Sequence, residues 1–516
     1  MYFQNKTSLL FNLFLLIIFS ACSSSVKTPK KPNIILIYAD DLGIGLLGHE
    51  GQQIIKTPNI DKLAQEGVRF KNAYSNMLCA PARASLITGY HDCHQNRFEI
   101  TEGNLYKNVN HNDSILKQVE NKINNSLPTI PEEQIFLGQI ALKQKYKTAQ
   151  IGKLEWGFST THKQLKRHGW DYYFGYLDHV RAHGFYPPFL FENGKMIAIG
   201  GNTHSDCAKS NEPETLEAFQ ERWNRNGKKN YSQNIFMDKI MSFLENNKNQ
   251  PFFLYFPTQL PHGPVSIPAV HPDFINDNRL TQIEKEYASM VKLLDDNVGQ
   301  IIQKIKDLGI EDNTIVIFTS DNGHEIYYSQ KGRILKPYTN IKTGKRFDDL
   351  NSKYYSNLAG DVFNGNGGRA GLKRSNLQGG INVPLIVKWP NKIKKGIINN
   401  RLVANYDILP TLKDITEFQK DIPTDGISFY NDLIGIQNNK IHDYVIYSSF
   451  TGPTLITNDG WKIRTYLKAN TFQLYYLPND FKEEHDLATK YPEKLNELKI
   501  KLIKECDGKL ENGYYQ

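Results

Sequence analysis

The residues best suited to chemistry stand just after runs of apolar, β-prone sequence. Asp40 and Asp41 follow the run Asn33–Tyr38, Asp321 and Asn322 follow Thr314–Thr319, and His262, set between Pro261 and Pro264, follows Phe252–Phe256. Carboxylate and amide oxygens are hard donors, and Asp40, Asp41, Asp321 and Asn322 together suit Ca²⁺, with Mg²⁺ the less favoured ion, rather than zinc. A dication in such a set polarises an ester oxygen and offsets charge as the bond breaks. Arg83, Lys153 and Lys373 offer three fixed positive charges for a tetrahedral anion, although each taken alone reads more readily as a solvated surface charge. His262 is rigidly flanked and belongs to the one side-chain type that titrates near neutrality, which suits proton transfer. Cys79 and Arg83 frame the pattern Cys79-Ala80-Pro81-Ala82-Arg83. As a bare pattern that is also what a buried cysteine beside a proline turn looks like.

These residues need a scaffold that carries strand ends to one place. Asn33–Tyr38, Phe252–Phe256, Thr314–Thr319 and Leu385–Val387 are near-continuous apolar runs, as expected of strands covered on both faces. Helical patterns lie between them at 59–67, 136–145, 234–246 and 287–308. The alternation predicts an α/β fold, a large doubly wound mixed sheet sandwiched by helices. After about residue 425 the pattern changes to short pieces at 444–448, 461–466 and 472–477, then a helix at 492–504. That predicts a small C-terminal antiparallel sheet plus a helix. The expected boundaries are a catalytic domain over 33–425 and a C-terminal subdomain over 426–516. Ligands of open α/β sheets gather at the carboxyl ends of the strands, where the acidic clusters and His262 fall.

Composition excludes several classes. With 516 residues, 40% hydrophobic and 22% charged, the chain can build a large core and is not mainly disordered. Five scattered cysteines make no disulfide scaffold and no CxxC zinc pair. The net charge of +8 is spread along the chain, which argues against a nucleic-acid partner. Lys6 and the apolar run Leu9–Phe19 form an export signal too short for a permanent span. Phe19-Ser20-Ala21-Cys22 resembles a bacterial lipobox, with Phe19 in place of the usual Leu, and a Ser-rich tether follows. The resemblance implies a signal peptide over 1–21, lipidation of Cys22, a polar tether over 22–32, and anchoring to the outer membrane facing the periplasm. The other reading is a plain secretory signal with a chance cysteine.

The stretch Cys79-Ala80-Pro81-Ala82-Arg83-Ala84-Ser85-Leu86-Ile87-Thr88-Gly89 resembles the signature of the formylglycine-dependent (type I) sulfatases, within the alkaline-phosphatase superfamily. The resemblance continues in family order through Asp40-Asp41-Leu42-Gly43, Gly152-Lys153, Pro261-His262, Ser320-Asp321-Asn322-Gly323, Gly371-Leu372-Lys373, Gly379-Gly380-Ile381 and Asp407 with Leu409-Pro410-Thr411. It implies that a maturation enzyme oxidises Cys79 to formylglycine (3-oxoalanine), whose hydrated aldehyde attacks sulfur. The alcohol leaves, and the second hydroxyl then expels sulfate, a route open to a diol but not to a simple serine or cysteine ester. By the same resemblance Cys79, Asp40, Asp41, Asp321 and Asn322 hold one Ca²⁺, and Arg83 orients Cys79. Lys153 and Lys373 hold the sulfate, and His262, with Lys373, protonates the leaving alcohol.

Two departures stand out. Where the family often has Gly-Lys-Trp-His-x-Gly, this chain has Gly152-Lys153-Leu154-Glu155-Trp156-Gly157, so Glu155 is expected either to take over from the missing histidine as the base, with His162 next in line, or only to ion-pair with one of the lysines. Gln378 and Asn382 likewise replace the usual Glu and Arg around Gly379-Gly380-Ile381. The stretch Phe174–His183 resembles one found in bacterial sulfatases acting on polysaccharides, and nominates Asp178, His179, Arg181 and His183 as sugar-contacting residues; a polar loop over the sheet is the competing reading. The insert over 327–364 is expected to wall the cleft. The substrate expected is a sulfated glycan, and the rivals are a phosphate- or phosphonate-ester hydrolase of the superfamily and an inactive glycan-binding lipoprotein. Cys93 and Cys207 are the pair considered for a disulfide, with free thiols the equal alternative.

Overall fold

The computed structural model describes residues 31–95, 102–109, 112–126, 133–203, 215–330, 333–334, 339–345, 347, 352–437 and 440–514. The export signal, Cys22, most of the tether and Cys207 lie outside the described residues. Ten strands form the main sheet: β1 (Asn33–Ala39), β2 (Val68–Tyr74), β3 (Lys147–Gly152), β4 (Tyr172–Gly175), β5 (Phe189–Glu192), β6 (Lys195–Ala198), β7 (Phe252–Pro257), β8 (Thr314–Ser320), β9 (Leu385–Lys388) and β10 (Ile397–Ala404). Their order is β10-β2-β9-β8-β1-β7-β3-β4-β5-β6. The centre, β8-β1-β7-β3-β4, is parallel. β9 runs antiparallel to both its neighbours, and β5 and β6 turn back as hairpins at one edge.

The apolar runs divide by alternation, as a two-residue period requires. On β1, Ile35 and Ile37 join one core, whereas Ile34, Leu36 and Tyr38 join the other. β7 splits the same way into Leu254 and Phe256 against Phe253 and Tyr255, and β8 into Val316 and Phe318 against Ile315 and Ile317. The first core is closed by the helices Ser232–Asn247 and Gln282–Asp307, through Phe236, Ile240, Leu294 and Ile301. The second is closed by helices that include Cys79–Thr88, Leu137–Lys143 and Ile408–Ile415. The sheet is therefore wound on both faces, as expected. Helix Gln282–Asp307 begins earlier than its apolar period suggests, because Thr281 and Glu284 form a capping box that satisfies its first amides.

The tail forms β11 (Tyr444–Tyr447), β12 (Thr454–Thr457), β13 (Trp461–Tyr466) and β14 (Thr471–Tyr476), a four-stranded antiparallel sheet in sequence order. One face sets Val445, Tyr447 and Ile456 against Tyr74, Leu402 and Tyr406 of the main layer. The other sets Ile446, Leu455, Ile463 and Leu474 beneath Leu498 and Leu502 of the helix Pro492–Glu505. Residues 32–516 form one compact unit. The insert at 327–364 does more than wall a cleft, since Tyr327, Tyr328, Tyr354 and Phe363 are buried in the first core. Cys93 packs beside Cys506, and burial together with that neighbour pushes its thiol pKa well up.

Because the small sheet shares its inner face with the main layer, Leu502→Ala should lower the stability of the whole unit by about 2–5 kcal/mol. Calorimetry should keep a single transition; separate unfolding of the tail would contradict shared packing.

Candidate active site

Four adjacent parallel strands end at one edge, in the order β8-β1-β7-β3, and each delivers part of one cluster. β8 leads into Asp321 and Asn322, β1 into Asp40 and Asp41, β7 into His262, and β3 into Lys153. Asp41 is held at φ 61°, in the left-handed region that Asp tolerates better than most residues. That reversal puts two consecutive carboxylates in one place, and the Asp41 N–H donates to Asp321 Oδ1 at 3.0 Å. Asn322 Nδ2 donates to Asp41 Oδ1 at 2.7 Å, so the acidic groups of β1 and β8 are joined directly.

The fifth and sixth parts come from the flanks. Helix Cys79–Thr88 presents Cys79 in its first turn and Arg83 one turn later on the same side, and both are buried. Arg83 Nη2 donates to Asp321 Oδ2 at 2.8 Å and lies 3.6 Å from Asp40 Oδ1. The segment before β9 brings Lys373, whose Nζ donates to Asp41 Oδ2 at 2.7 Å and lies 3.8 Å from Cys79 Sγ. That segment is braced by the small sheet: Glu483 accepts the Gln378 N–H at 2.6 Å and pairs with Lys462 at 2.7 Å, and Arg464 of β13 bonds Asn376. Lys153 Nζ donates to Asp40 Oδ2 at 2.5 Å.

Three histidines line the other side. His262 Nδ1 donates to the Gly263 carbonyl at 2.5 Å, which leaves Nε2 to accept from Lys373 Nζ at 3.3 Å. His183 stacks on His262 with centroids 4.0 Å apart. His179 Nε2 meets Cys79 Sγ at 3.2 Å. Burial lowers the pKa of all three, that of His262 to about 4 with its neighbouring carboxylates resisting.

The donor set fits a divalent cation. Asp40 Oδ1 and Asn322 Oδ1 are buried oxygens without a hydrogen-bond partner. Burial opposes the ionisation of Asp40 and Asp41, yet Lys153 and Lys373 hold their pKa values below the usual carboxylate range. Asp321 has the opposite fate: burial and the charges of Asp40 and Asp41 push it up to about 8 despite Arg83. Arg83 alone therefore does not keep Asp321 ionised beside Asp40 and Asp41, the condition a bound dication relieves. Ligand atoms of Asp40, Asp41, Cys79 and His262 lie within 4.8 Å of one another. Asp321 and Asn322 adjoin that group through Asp41.

Four expected residues lie elsewhere or do other work. Glu155 is buried behind the site, where His168 Nδ1 and Trp170 Nε1 both hydrogen-bond its carboxylate; it braces the segment after β3 and makes no contact with Cys79. His162 begins the helix His162–Arg167 and packs against Gly194 in the β5–β6 turn. Asp178 is buried and caps a turn, accepting from the N–H groups of Val180 and Tyr106, so its oxygens are not offered to a sugar. Arg181 lies under the loop with its guanidinium 4.2 Å from the Phe189 ring centroid. His179 and His183 do reach the site, but His179 touches the reactive sulfur. Tyr327, whose hydroxyl bonds Asp41, was not anticipated, and only the Tyr-rich start of the insert hinted at it.

Comparison with known proteins agrees with this geometry. The profile described as Sulfatase matches residues 32–418, and the profile described as N-sulphoglucosamine sulphohydrolase, C-terminal, matches 372–509. An uncharacterised sulfatase of Schizosaccharomyces pombe is 28% identical, over 91% of this chain and 92% of that one. The N-acetylgalactosamine-6-O-sulfatase of Bacteroides thetaiotaomicron is 26% identical, over 92% of each. Among solved structures, Ps i-CgsB in complex with k-i-k-neocarrahexaose superposes with a TM-score of 0.67 at 22% identity, over 94% of this chain and 95% of that one.

Glu155→Gln should lower the melting temperature, because it weakens two buried charge-assisted hydrogen bonds at about 1.5–3 kcal/mol in total. Turnover per folded molecule should stay within about threefold of wild type. A large loss of kcat without loss of stability would return Glu155 to the chemistry.

Proposed function

The chain belongs to the sulfatase family, and on that premise we propose that it removes sulfate from a sulfated carbohydrate, using formylglycine made from Cys79 and one bound Ca²⁺. The observation that carries the reading is the convergence on Cys79 of His179, Lys373 and the Asp40–Asp41 pair, with Arg83 one turn along the same helix. Asp40, Asp41, Asp321 and the Asn322 amide oxygen would hold the ion, which supplies Lewis-acid polarisation of a sulfate oxygen. A hydrated aldehyde at residue 79 supplies the nucleophilic oxygen.

The chain's own groups do the rest. Arg83 is fixed between Asp321 and Asp40, and keeps the helix turn that carries residue 79 against the acidic cluster. Its Nε and Nη1 are buried without a hydrogen-bond partner, so they are available to an anion. Lys153 and Lys373 approach from opposite sides and hold the sulfate group by charge. Lys373 and His262 share one hydrogen bond at 3.3 Å, and this pair hands the proton to the departing sugar oxygen. His179 takes the place that sequence reasoning gave to Glu155: at 3.2 Å from Sγ it is positioned to accept the proton of the second hydroxyl when sulfate departs. Exclusion of bulk water from this buried cluster strengthens each of these interactions.

The carbohydrate class is supported by relatives named for sulfated sugars, including N-acetylgalactosamine-6-sulfatases. The lipobox-like Phe19–Cys22 supports export, lipidation of Cys22 and an outer-membrane position facing the periplasm, where glycan fragments are degraded.

Assay of one preparation on sulfated saccharides, an aryl sulfate and a phosphate monoester should give turnover on the sulfates and little on the phosphate; the reverse ranking would refute the reading. Cys79→Ala should fall below a thousandth of wild-type turnover while circular dichroism stays unchanged. His179→Ala should lower kcat by about 10²–10⁴-fold, with a sulfated enzyme species accumulating in mass spectra. Chelation should abolish turnover, and Ca²⁺ should restore it. Cys22→Ala should release the protein from the membrane fraction, and wild-type protein already soluble and unlipidated would exclude the anchor.

A further inference from the structure

Away from the active site, the loop after helix Cys79–Thr88 carries His91 and His94 against carboxylates from two distant parts of the chain. Asp425 comes from the segment before the C-terminal layer, and Glu505 and Asp507 from the end of its last helix. The two imidazoles stack with centroids 3.9 Å apart and 13° between their planes. Their Nε2 atoms converge on a single oxygen, Asp425 Oδ2, at 3.0 Å from His94 and 3.7 Å from His91. Glu505 Oε2 lies 3.8 Å from His91 Nε2.

These separations have a chemical meaning. Nitrogen and oxygen ligands about 2.0–2.1 Å from a tetrahedral ion stand about 3.3 Å apart. The N···O spacings in the cluster bracket that value, but the parallel stacked rings do not both aim an in-plane lone pair at one point, so one imidazole must rotate about its Cβ–Cγ bond for the set to close. His91 is buried, and its Nε2 has no hydrogen-bond partner although it faces two carboxylates. His94 Nδ1 lies 3.3 Å from Asp507 Oδ1, the outer carboxylate arrangement that fixes the tautomer and orientation of a metal-bound histidine.

We infer that His91 Nε2, His94 Nε2 and Asp425 Oδ2 form a binding site for a first-row transition dication such as Zn²⁺, with Glu505 the nearest carboxylate to complete a four-ligand set. Imidazole nitrogens favour such ions over Ca²⁺, which separates this site from the oxygen-rich cluster at Asp40 and Asp41. One local contact opposes the ion. His91 Nδ1 accepts the Cys93 N–H at 3.2 Å, which places the proton of the neutral ring on Nε2. Binding releases that proton or moves it to Nδ1 at the expense of this hydrogen bond, and His91 is accordingly the weaker imidazole ligand. Cys93 and Cys506 adjoin the ligands in sequence, yet both thiols are packed into the core between β11–β14 and the last helix, so the site takes no sulfur. An ion here would tie the loop that follows the nucleophile's helix to the end of the chain.

The test is titration of the full mature chain with Co²⁺ and Zn²⁺ in saturating Ca²⁺. Wild type should bind one Co²⁺ per chain, displaced by Zn²⁺, with the strong visible bands of tetrahedral coordination and no sulfur-to-cobalt charge-transfer band. Zn²⁺ should raise its Tm. His94→Gln should abolish both effects. Asp507→Asn, which leaves every ligand atom in place, should weaken binding by about tenfold, and it serves where the first variant folds poorly. Wild-type protein that binds neither ion, binding unaffected by His94→Gln, or a charge-transfer band from thiolate ligation would each overturn the assignment.

Discussion

Everything at the catalytic edge depends on a buried balance of charge. Asp40, Asp41 and Asp321 face Arg83, Lys153 and Lys373, and all six side chains are withdrawn from water. Charges so placed are costly unless each finds an opposite partner at hydrogen-bond distance. The contacts of 2.5 Å from Lys153 to Asp40, 2.7 Å from Lys373 to Asp41 and 2.8 Å from Arg83 to Asp321 meet that requirement pair by pair. The balance remains uneasy at Asp321, which burial and two neighbouring carboxylates push up to about 8. A site of this kind is prepared to receive a cation together with an anionic ester, since the two arrive with opposing charge.

Such balance holds only if the backbone cannot relax around it. The four strands that deliver Asp321, Asp40, His262 and Lys153 are hydrogen-bonded neighbours covered on both faces, so their ends are held in register. Cys79 and Arg83 are fixed differently, by a helix whose every residue is buried. Lys373 is the exception, carried on an irregular segment. The C-terminal sheet compensates through Arg464 on Asn376 and Glu483 on the Gln378 N–H. The small layer thus positions Lys373 beside Asp41 and Cys79 as well as closing the core.

Replacement of the usual histidine by Glu155 illustrates how position in sequence and position in space part company. Two residues beyond Lys153 the chain has already turned away from Cys79, and Glu155 is drawn to His168 and Trp170 behind the sheet. A histidine from a different segment, His179, stands 3.2 Å from Cys79 Sγ instead.

Much of this was legible from residues alone. The apolar runs of β1, β7 and β8 announced strands buried on both faces, and their ends located Asp40, Asp41, His262, Asp321 and Asn322, because strand period and carboxyl-end placement are local properties. The motif from Cys79 to Gly89 was readable as a pattern of residue types, whereas its folding as a wholly buried helix with Cys79 and Arg83 one turn apart was not. What remained hidden were relations between distant segments. The reversed direction of β9, the contact of His179 with Cys79 across 100 residues and the capping duty of Asp178 all depend on which loops meet over the sheet. So does the convergence of His91 and His94 with Asp425 and Glu505. Local pattern fixes which side chains stand at the ends of elements; only the packing of those elements decides which ends face one another.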